Sequence, residues 1–288
     1  MSHIEETLKR QFLQSLNIIH FDNIIDIILY AKDEDIYVGE NKCNEFRNVI
    51  KFHRENNDYI LKTYNSHDRK LTNEAYVSIV GTNNYNGFAK LYDVKFDNSF
   101  NNITYDYIIY EYIPGKKLNN YIRNLPIDYN PNKFKSILRE IFNNLYEVHK
   151  DINFIHGDLN PNNIIISDND SPVFIDLKVS RIEMDSTSNW KFDAVKLLDS
   201  LLEASNKENY FSDLGYALID MGNQMIDGNI DDVERILNVN RHAINRIQNF
   251  ELYDKLNSIV RNLLSYFKKS KESKELSLTD FEDFIKML

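Results

Sequence analysis

Near residue 115 the spacing of apolar residues lengthens from two to between three and four, and that change limits what this chain can fold into. From Ile36 to Ile113 the apolar residues alternate in short runs rich in β-branched and aromatic types: Asn48 to Phe52, Asp58 to Lys62, Phe88 to Tyr92 and Tyr105 to Tyr112. Such runs predict strands of a mostly antiparallel sheet. Glu55-Asn56-Asn57-Asp58 supplies a turn that makes the first two a hairpin. Leu71 to Val80 lacks Gly and Pro and predicts one helix. Beyond Pro114-Gly115 the pattern is helical. Phe134, Ile137, Leu138, Ile141, Phe142, Leu145 and Val148 form an amphipathic stripe, opened by Asn130 as cap and Pro131 in the first turn. Further stripes run from Phe192 to Leu202, Phe211 to Ile226, Val233 to Ile247 and Leu252 to Phe267. Lys268 to Glu275 is a charged connector, and Thr279 with Glu282 predicts a capping box on a last short helix. The expectation is an α+β chain. Residues 1–113 give an N-terminal extension and a small β-rich lobe, Pro114-Gly115 a hinge, and residues 114–288 a larger, mainly helical lobe.

Composition excludes several other classes. With 288 residues, 42% of them apolar, two lobes can bury a sizeable core. A single cysteine, Cys43, permits no internal disulfide and resembles no zinc site, which suits a reducing, cytoplasmic setting. The first seven residues hold two acids and no apolar run, unlike a secretory signal. No segment approaches the roughly 18 consecutive apolar residues of a membrane span. A net charge of −10 argues against a broad grip on nucleic acid and is compatible with a cationic partner.

Inside the helical half lies an island of strand pattern. Phe154-Ile155 leads to His156-Gly157-Asp158-Leu159-Asn160-Pro161-Asn162-Asn163, then Ile164-Ile165-Ile166, a turn at Asp168 to Pro172, and Val173-Phe174-Ile175-Asp176. Paired as a hairpin, the two apolar pieces carry Asn163 and Asp176 to one end. Phosphoryl transfer asks for that grouping: hard oxygen ligands for a metal that bridges the nucleotide phosphates, and a separate carboxylate that orients the attacking hydroxyl. Asn163 and Asp176 fit the first role, for Mg²⁺, and Asp158 the second.

These residues resemble the catalytic and metal loops of the kinase-like superfamily, in which His-x-Asp-x-x-x-x-Asn is followed by a metal-binding Asp, here 13 positions after Asn163. The form His156-Gly157-Asp158-Leu159 is most similar to aminoglycoside phosphotransferases and choline-kinase-like enzymes, with RIO-type atypical protein kinases next. The resemblance implies a bilobal protein-kinase-like fold using ATP and Mg²⁺. On it, Lys62 corresponds to the strand lysine that pairs with nucleotide phosphates and Glu74 to the glutamate that holds this lysine. Backbone groups of Glu111 and Ile113, in Tyr110-Glu111-Tyr112-Ile113-Pro114-Gly115, would meet the adenine. The nucleotide-covering loop falls near Val38 to Asn44, where Gly39 is the sole glycine. His156 is expected to pack under the loop and Asp193 to brace it from the next helix.

Departures from the protein kinase pattern bear on the acceptor. Asp176 is followed by Leu177-Lys178 in place of Phe-Gly, and Asn160 stands where many protein kinases keep a lysine. Asp193 follows Asp176 by only 17 positions, too short for a peptide-docking segment, and no Ala-Pro-Glu-like anchor is present. The expected acceptor is therefore a hydroxyl of a small molecule, compatible with a cationic one. Asp213, Asp220, Asp227, Asp231 and Asp232 are the acids available to attract it. A protein substrate is the alternative.

Overall fold

The computed structural model describes residues 3–15, 49–54, 56–65, 69–100, 103–126, 128–183, 190–203, 250–269 and 276–288. Its first half is built on a four-stranded antiparallel sheet of β1 (Val49–Arg54), β2 (Asn57–Asn65), β3 (Leu91–Phe100) and β4 (Ile103–Glu111), in the order β1-β2-β4-β3. The period of two sorts the side chains onto the two faces. Tyr105, Tyr107 and Ile109 of β4 pack with Ile50 and Leu61, while Ile108 and Tyr110 pack with Leu71, Ala75, Leu91 and Val94. Leu61 lies opposite Ile109 in the register, and both are fully buried. The helix over that second cluster runs Arg69–Val77 and widens into a π-helical turn at Ser78–Thr82, where the expectation was one regular helix to Val80. Ser78 Oγ donates to the Glu74 carbonyl, 2.8 Å, inside this distortion. An N-terminal helix, His3–Ser15, lies against it and against β3, with Arg10 paired to the buried Asp106 at 3.2 Å.

Two expectations are corrected here. The strand expected at Phe88 to Tyr92 begins at Leu91 and continues to Phe100, and Phe88 instead makes an isolated parallel bridge to Phe174. Its ring lies 4.8 Å from that of Phe174, so the residue ties the sheet half to the hairpin that contains Phe174. The Pro-Gly hinge also does more than turn. Gly115–Lys117 forms β5, which joins the hairpin of β7 (Ile164–Ser167) and β8 (Pro172–Phe174) in a three-stranded sheet ordered β5-β7-β8. Gly115 has φ 153°, and a Cβ there would meet the Ile166 carbonyl oxygen at 2.2 Å, so a side chain would break this pairing.

The second half packs helices around the Pro131–Ile152 helix, whose stripe from Phe134 to Val148 is buried. Asn130 caps it, Oδ1 accepting from the Asn132 N–H at 2.9 Å, with Pro131 in the first turn. The helices Trp190–Glu203, Phe250–Lys269 and Leu278–Lys286 complete the core, with Trp190 stacked on Phe281 at 4.1 Å. The last helix is capped two residues earlier than expected. Ser277, not Thr279, is the cap, and Asp280, not Glu282, closes the box by accepting from the Ser277 N–H at 2.6 Å. Glu282 accepts from the Tyr146 hydroxyl instead. The described residues form the expected α+β arrangement, a β-sheet lobe joined to a helical region. The stripes expected at Phe211 to Ile226 and Val233 to Ile247 lie outside the described residues, as do the Val38 to Asn44 loop with Gly39 and the five aspartates expected near the acceptor.

Candidate active site

Lys62 sits in β2, between β1 and β4, and Glu74 in the helix packed on the sheet. Lys62 Nζ donates to Glu74 Oε1 at 2.6 Å, and the Tyr64 hydroxyl donates to Oε2 at 3.2 Å. Glu74 is fully buried and the Lys62 side chain 15% exposed. The ammonium also lies 5.2 Å from the centre of the Tyr110 ring. A fully buried carboxylate is costly unless neutralised and hydrogen-bonded, and this one is both.

The loop between β6 (Phe154–Ile155) and β7 carries Asp158 and Asn163. Asn163, nearly buried, spends its amide nitrogen on Asp158, at 2.8 Å to the backbone oxygen and 3.2 Å to Oδ2. Its backbone carbonyl accepts from the Ile175 N–H at 3.0 Å, which fixes Asn163 beside the end of β8. Asp176 follows in a left-handed conformation, φ 65°, uncommon for a residue with a side chain and enriched at functional sites. The hairpin thus brings Asn163 and Asp176 together as the sequence suggested.

Gly157 has φ 76°, and a Cβ there would come within 2.8 Å of the Val179 carbonyl oxygen. The glycine of the His-Gly-Asp form therefore reflects close approach of the loop after Asp176. Buried Asp193 accepts from the N–H groups of His156 (2.6 Å) and Gly157 (2.9 Å). Burial raises its carboxyl above the ordinary range, against the pull of His156 and those two donors. His156 is fully buried, with Nε2 3.2 Å from the Ile175 carbonyl, and burial lowers its imidazole, which favours the neutral ring. It is placed as packing beneath the loop.

Two groups were not singled out from the sequence. Asn73 donates to the carbonyls of Lys178 (3.2 Å) and Ser180 (2.7 Å), so the residue before Glu74 ties that helix to the loop following Asp176. Lys196 donates to Asp158 Oδ1 at 2.6 Å and to the Gly157 carbonyl at 3.2 Å. Burial pushes the Asp158 carboxyl up, but Lys196 and Asn163 outweigh it and hold the group below its usual range. The available signal was helical spacing: Lys196 lies three residues after Asp193, on the same side of the helix that braces the loop.

The donor set suits Mg²⁺, which takes one or two carboxylate or amide oxygens and completes its octahedron with phosphate and water. The nitrogen of Asn163 is occupied by Asp158, leaving its amide oxygen as a hard donor at the end of the hairpin from which Asp176 emerges. Lys178, paired with Asp176 Oδ2 at 2.9 Å, already complements that charge. Among the described residues no cluster of three or more His, Cys, Asp or Glu exists, and a site completed by phosphate needs none. Glu111 and Ile113 lie at and just beyond the end of β4, both half-buried. Glu111 is tied to Lys90 by both its backbone N–H and its carboxylate, at 2.9 and 2.8 Å.

A family model described as protein kinase domain matches residues 45–197, more than half of the chain, and the chain belongs to that family. The match covers Lys62, Glu74, Asp158, Asn163, Asp176 and Lys196. No curated protein matches the chain. Among the described residues no helix is long and apolar enough to cross a membrane.

Proposed function

We propose that this kinase transfers the γ-phosphoryl group of ATP to a hydroxyl of a small molecule, in the manner of aminoglycoside phosphotransferases and choline-kinase-like enzymes. The lobe boundary falls between residues 113 and 114, with nucleotide held by the first lobe and acceptor by the second. Lys62, oriented by Glu74, meets the nucleotide phosphates. The adenine lies against the backbone of Glu111 and Ile113, and Gly39 is the glycine assigned to the nucleotide. Bound through Asn163 and Asp176, Mg²⁺ supplies neutralisation of phosphate charge. Asp158 accepts the proton of the acceptor hydroxyl as its oxygen bonds to the γ-phosphorus and the bond from that phosphorus to ADP breaks.

The observation that supports the small-molecule reading is the short span from Asp176 to the helix that carries Asp193, with no Ala-Pro-Glu-like anchor in it. The two hydrogen bonds of Asp193 to His156 and Gly157 bring the start of the Trp190 helix under the loop, and only 17 positions separate Asp193 from Asp176. Docking an extended peptide by strand-like pairing requires a longer exposed segment. A second reading, an atypical protein serine/threonine kinase of RIO type, is favoured by the match to the protein kinase domain itself. ADP release measured across amino sugars, choline-like alcohols and a generic protein separates the two. Release dependent on a small alcohol is expected; transfer to protein alone would establish the second reading.

A further inference from the structure

Charge on the transferring phosphoryl group is spread over three oxygens, and stabilising it takes fixed cations on the acceptor side as well as at the nucleotide. The catalytic loop offers none: from Gly157 to Asn163 it reads Gly-Asp-Leu-Asn-Pro-Asn-Asn. Asn160, two residues past Asp158, is committed to shaping the loop. Its Nδ2 donates to the Asp158 carbonyl at 3.0 Å, and its Oδ1 accepts from the Asn162 N–H at 2.9 Å. On the reading above Lys62, held by Glu74, serves the nucleotide phosphates, and Lys178 pairs with Asp176 on the metal side.

We propose that Lys196, entering from the helix behind the catalytic loop, is a catalytic residue that contacts the phosphoryl group as it passes to the acceptor. This rests on the phosphotransferase reading above. The ammonium has three donors. One is used on Asp158 Oδ1 and one on the Gly157 carbonyl, leaving the third for a phosphoryl oxygen. The acceptor hydroxyl must lie within hydrogen-bond reach of the Asp158 carboxylate. The lysine and the reacting oxygen therefore share one carboxylate, and the bond to phosphorus forms beside the ammonium. Asp158 keeps lone pairs for the hydroxyl, because each of its oxygens is engaged by one side-chain donor, Lys196 on Oδ1 and Asn163 on Oδ2. The base of the lysine is fixed by the same helix that presents Asp193, and its side chain is 34% exposed, close to the 35% of the Asp158 side chain it meets.

The test compares wild type with Lys196→Met and the double variant Asn160→Lys/Lys196→Met, which puts the cation back on the loop. Each is assayed for steady-state ADP release, for ADP affinity and for affinity for ADP with beryllium fluoride, which mimics the phosphoryl group. Lys196→Met should lower kcat by about 10²-fold, the scale of one lost transition-state donor, while KM for ATP stays within about threefold. It should weaken ADP·beryllium fluoride binding and leave ADP binding unchanged, a readout that requires no acceptor. Asn160→Lys should return at least about tenfold of the lost kcat. Unchanged kcat with unchanged beryllium fluoride affinity would overturn the proposal. So would faster turnover in Lys196→Met, which would make the lysine a block on Asp158, or a loss of kcat and melting temperature together without rescue. Failure of wild type to turn over ATP with any acceptor would count against the phosphotransferase reading; the beryllium fluoride comparison still decides the lysine.

Discussion

Two lysine–carboxylate pairs of identical length flank the candidate site, and their surroundings differ. Lys62 and Glu74 meet at 2.6 Å with side chains 15% and 0% exposed; Lys196 and Asp158 meet at 2.6 Å with 34% and 35%. The first is walled in by the sheet, the helix over it and the Tyr64 hydroxyl, so neither partner can leave without stranding a buried charge. The second is half-buried and partly reached by water, where an ion pair is worth less and exchanges partners more readily. The same contact is a strut in one place and an available reactive surface in the other. A nucleotide clamp must hold its geometry, whereas a carboxylate that takes a proton must be reachable.

Removing the metal side of the site should produce the largest change in nucleotide affinity. Asp176→Ala is expected to lower ATP affinity at least about tenfold in Mg²⁺ and to leave the residual affinity in EDTA unaltered, because only the metal-dependent part uses this oxygen. Calorimetry in the two conditions checks it, and equal losses in both would mean Asp176 acts through the fold.

The buried pair comes next. Lys62→Met leaves the Glu74 carboxylate with the Tyr64 hydroxyl among its described partners and should cost about 3–5 kcal/mol in urea unfolding. Substituting both, Lys62→Met with Glu74→Leu, should recover much of that loss while leaving nucleotide binding impaired. The more accessible pair should tolerate the loss better, with Lys196→Met costing about 1 kcal/mol.

A smaller effect is expected at the tie between the two halves. Asn73→Ala removes two donations, to the Lys178 and Ser180 carbonyls, and should cost about 1–3 kcal/mol, with KM for ATP rising less than tenfold. A shift in ATP affinity as large as that of Asp176→Ala would show that the helix and the metal loop move as one unit.

How much of this could be read beforehand follows from where the information sits. The hairpin was legible because its constraints are local: two apolar runs joined by a turn at Asp168 to Pro172 pair with each other, and the observed register, Ile164 opposite Phe174, sets Asn163 and Asp176 at one end. The Lys62–Glu74 pair was expected from the resemblance to kinase-like enzymes, and the two side chains meet at 2.6 Å. Phe88 was misassigned because an apolar residue in a β-rich stretch looks the same whether it pairs within its own sheet or bridges to Phe174. The final cap was misplaced because Ser277 and Thr279 both begin a box-like spacing, and Tyr146, distant in sequence, draws Glu282 away. Lys196 and Asn73 carry no motif; their meaning comes from helices that meet the catalytic and metal loops in three dimensions.

The central claim, that Asp158 serves the acceptor and not the nucleotide, is tested most directly by Asp158→Asn, which keeps the shape and removes the base. Acceptor-dependent ADP release and Mg·ATP affinity should be measured on the same preparation. The account predicts turnover reduced by about 10²–10⁴-fold with nucleotide affinity within a few fold of wild type. Turnover retained near the wild-type rate, or lost only in proportion to ATP affinity, would contradict it.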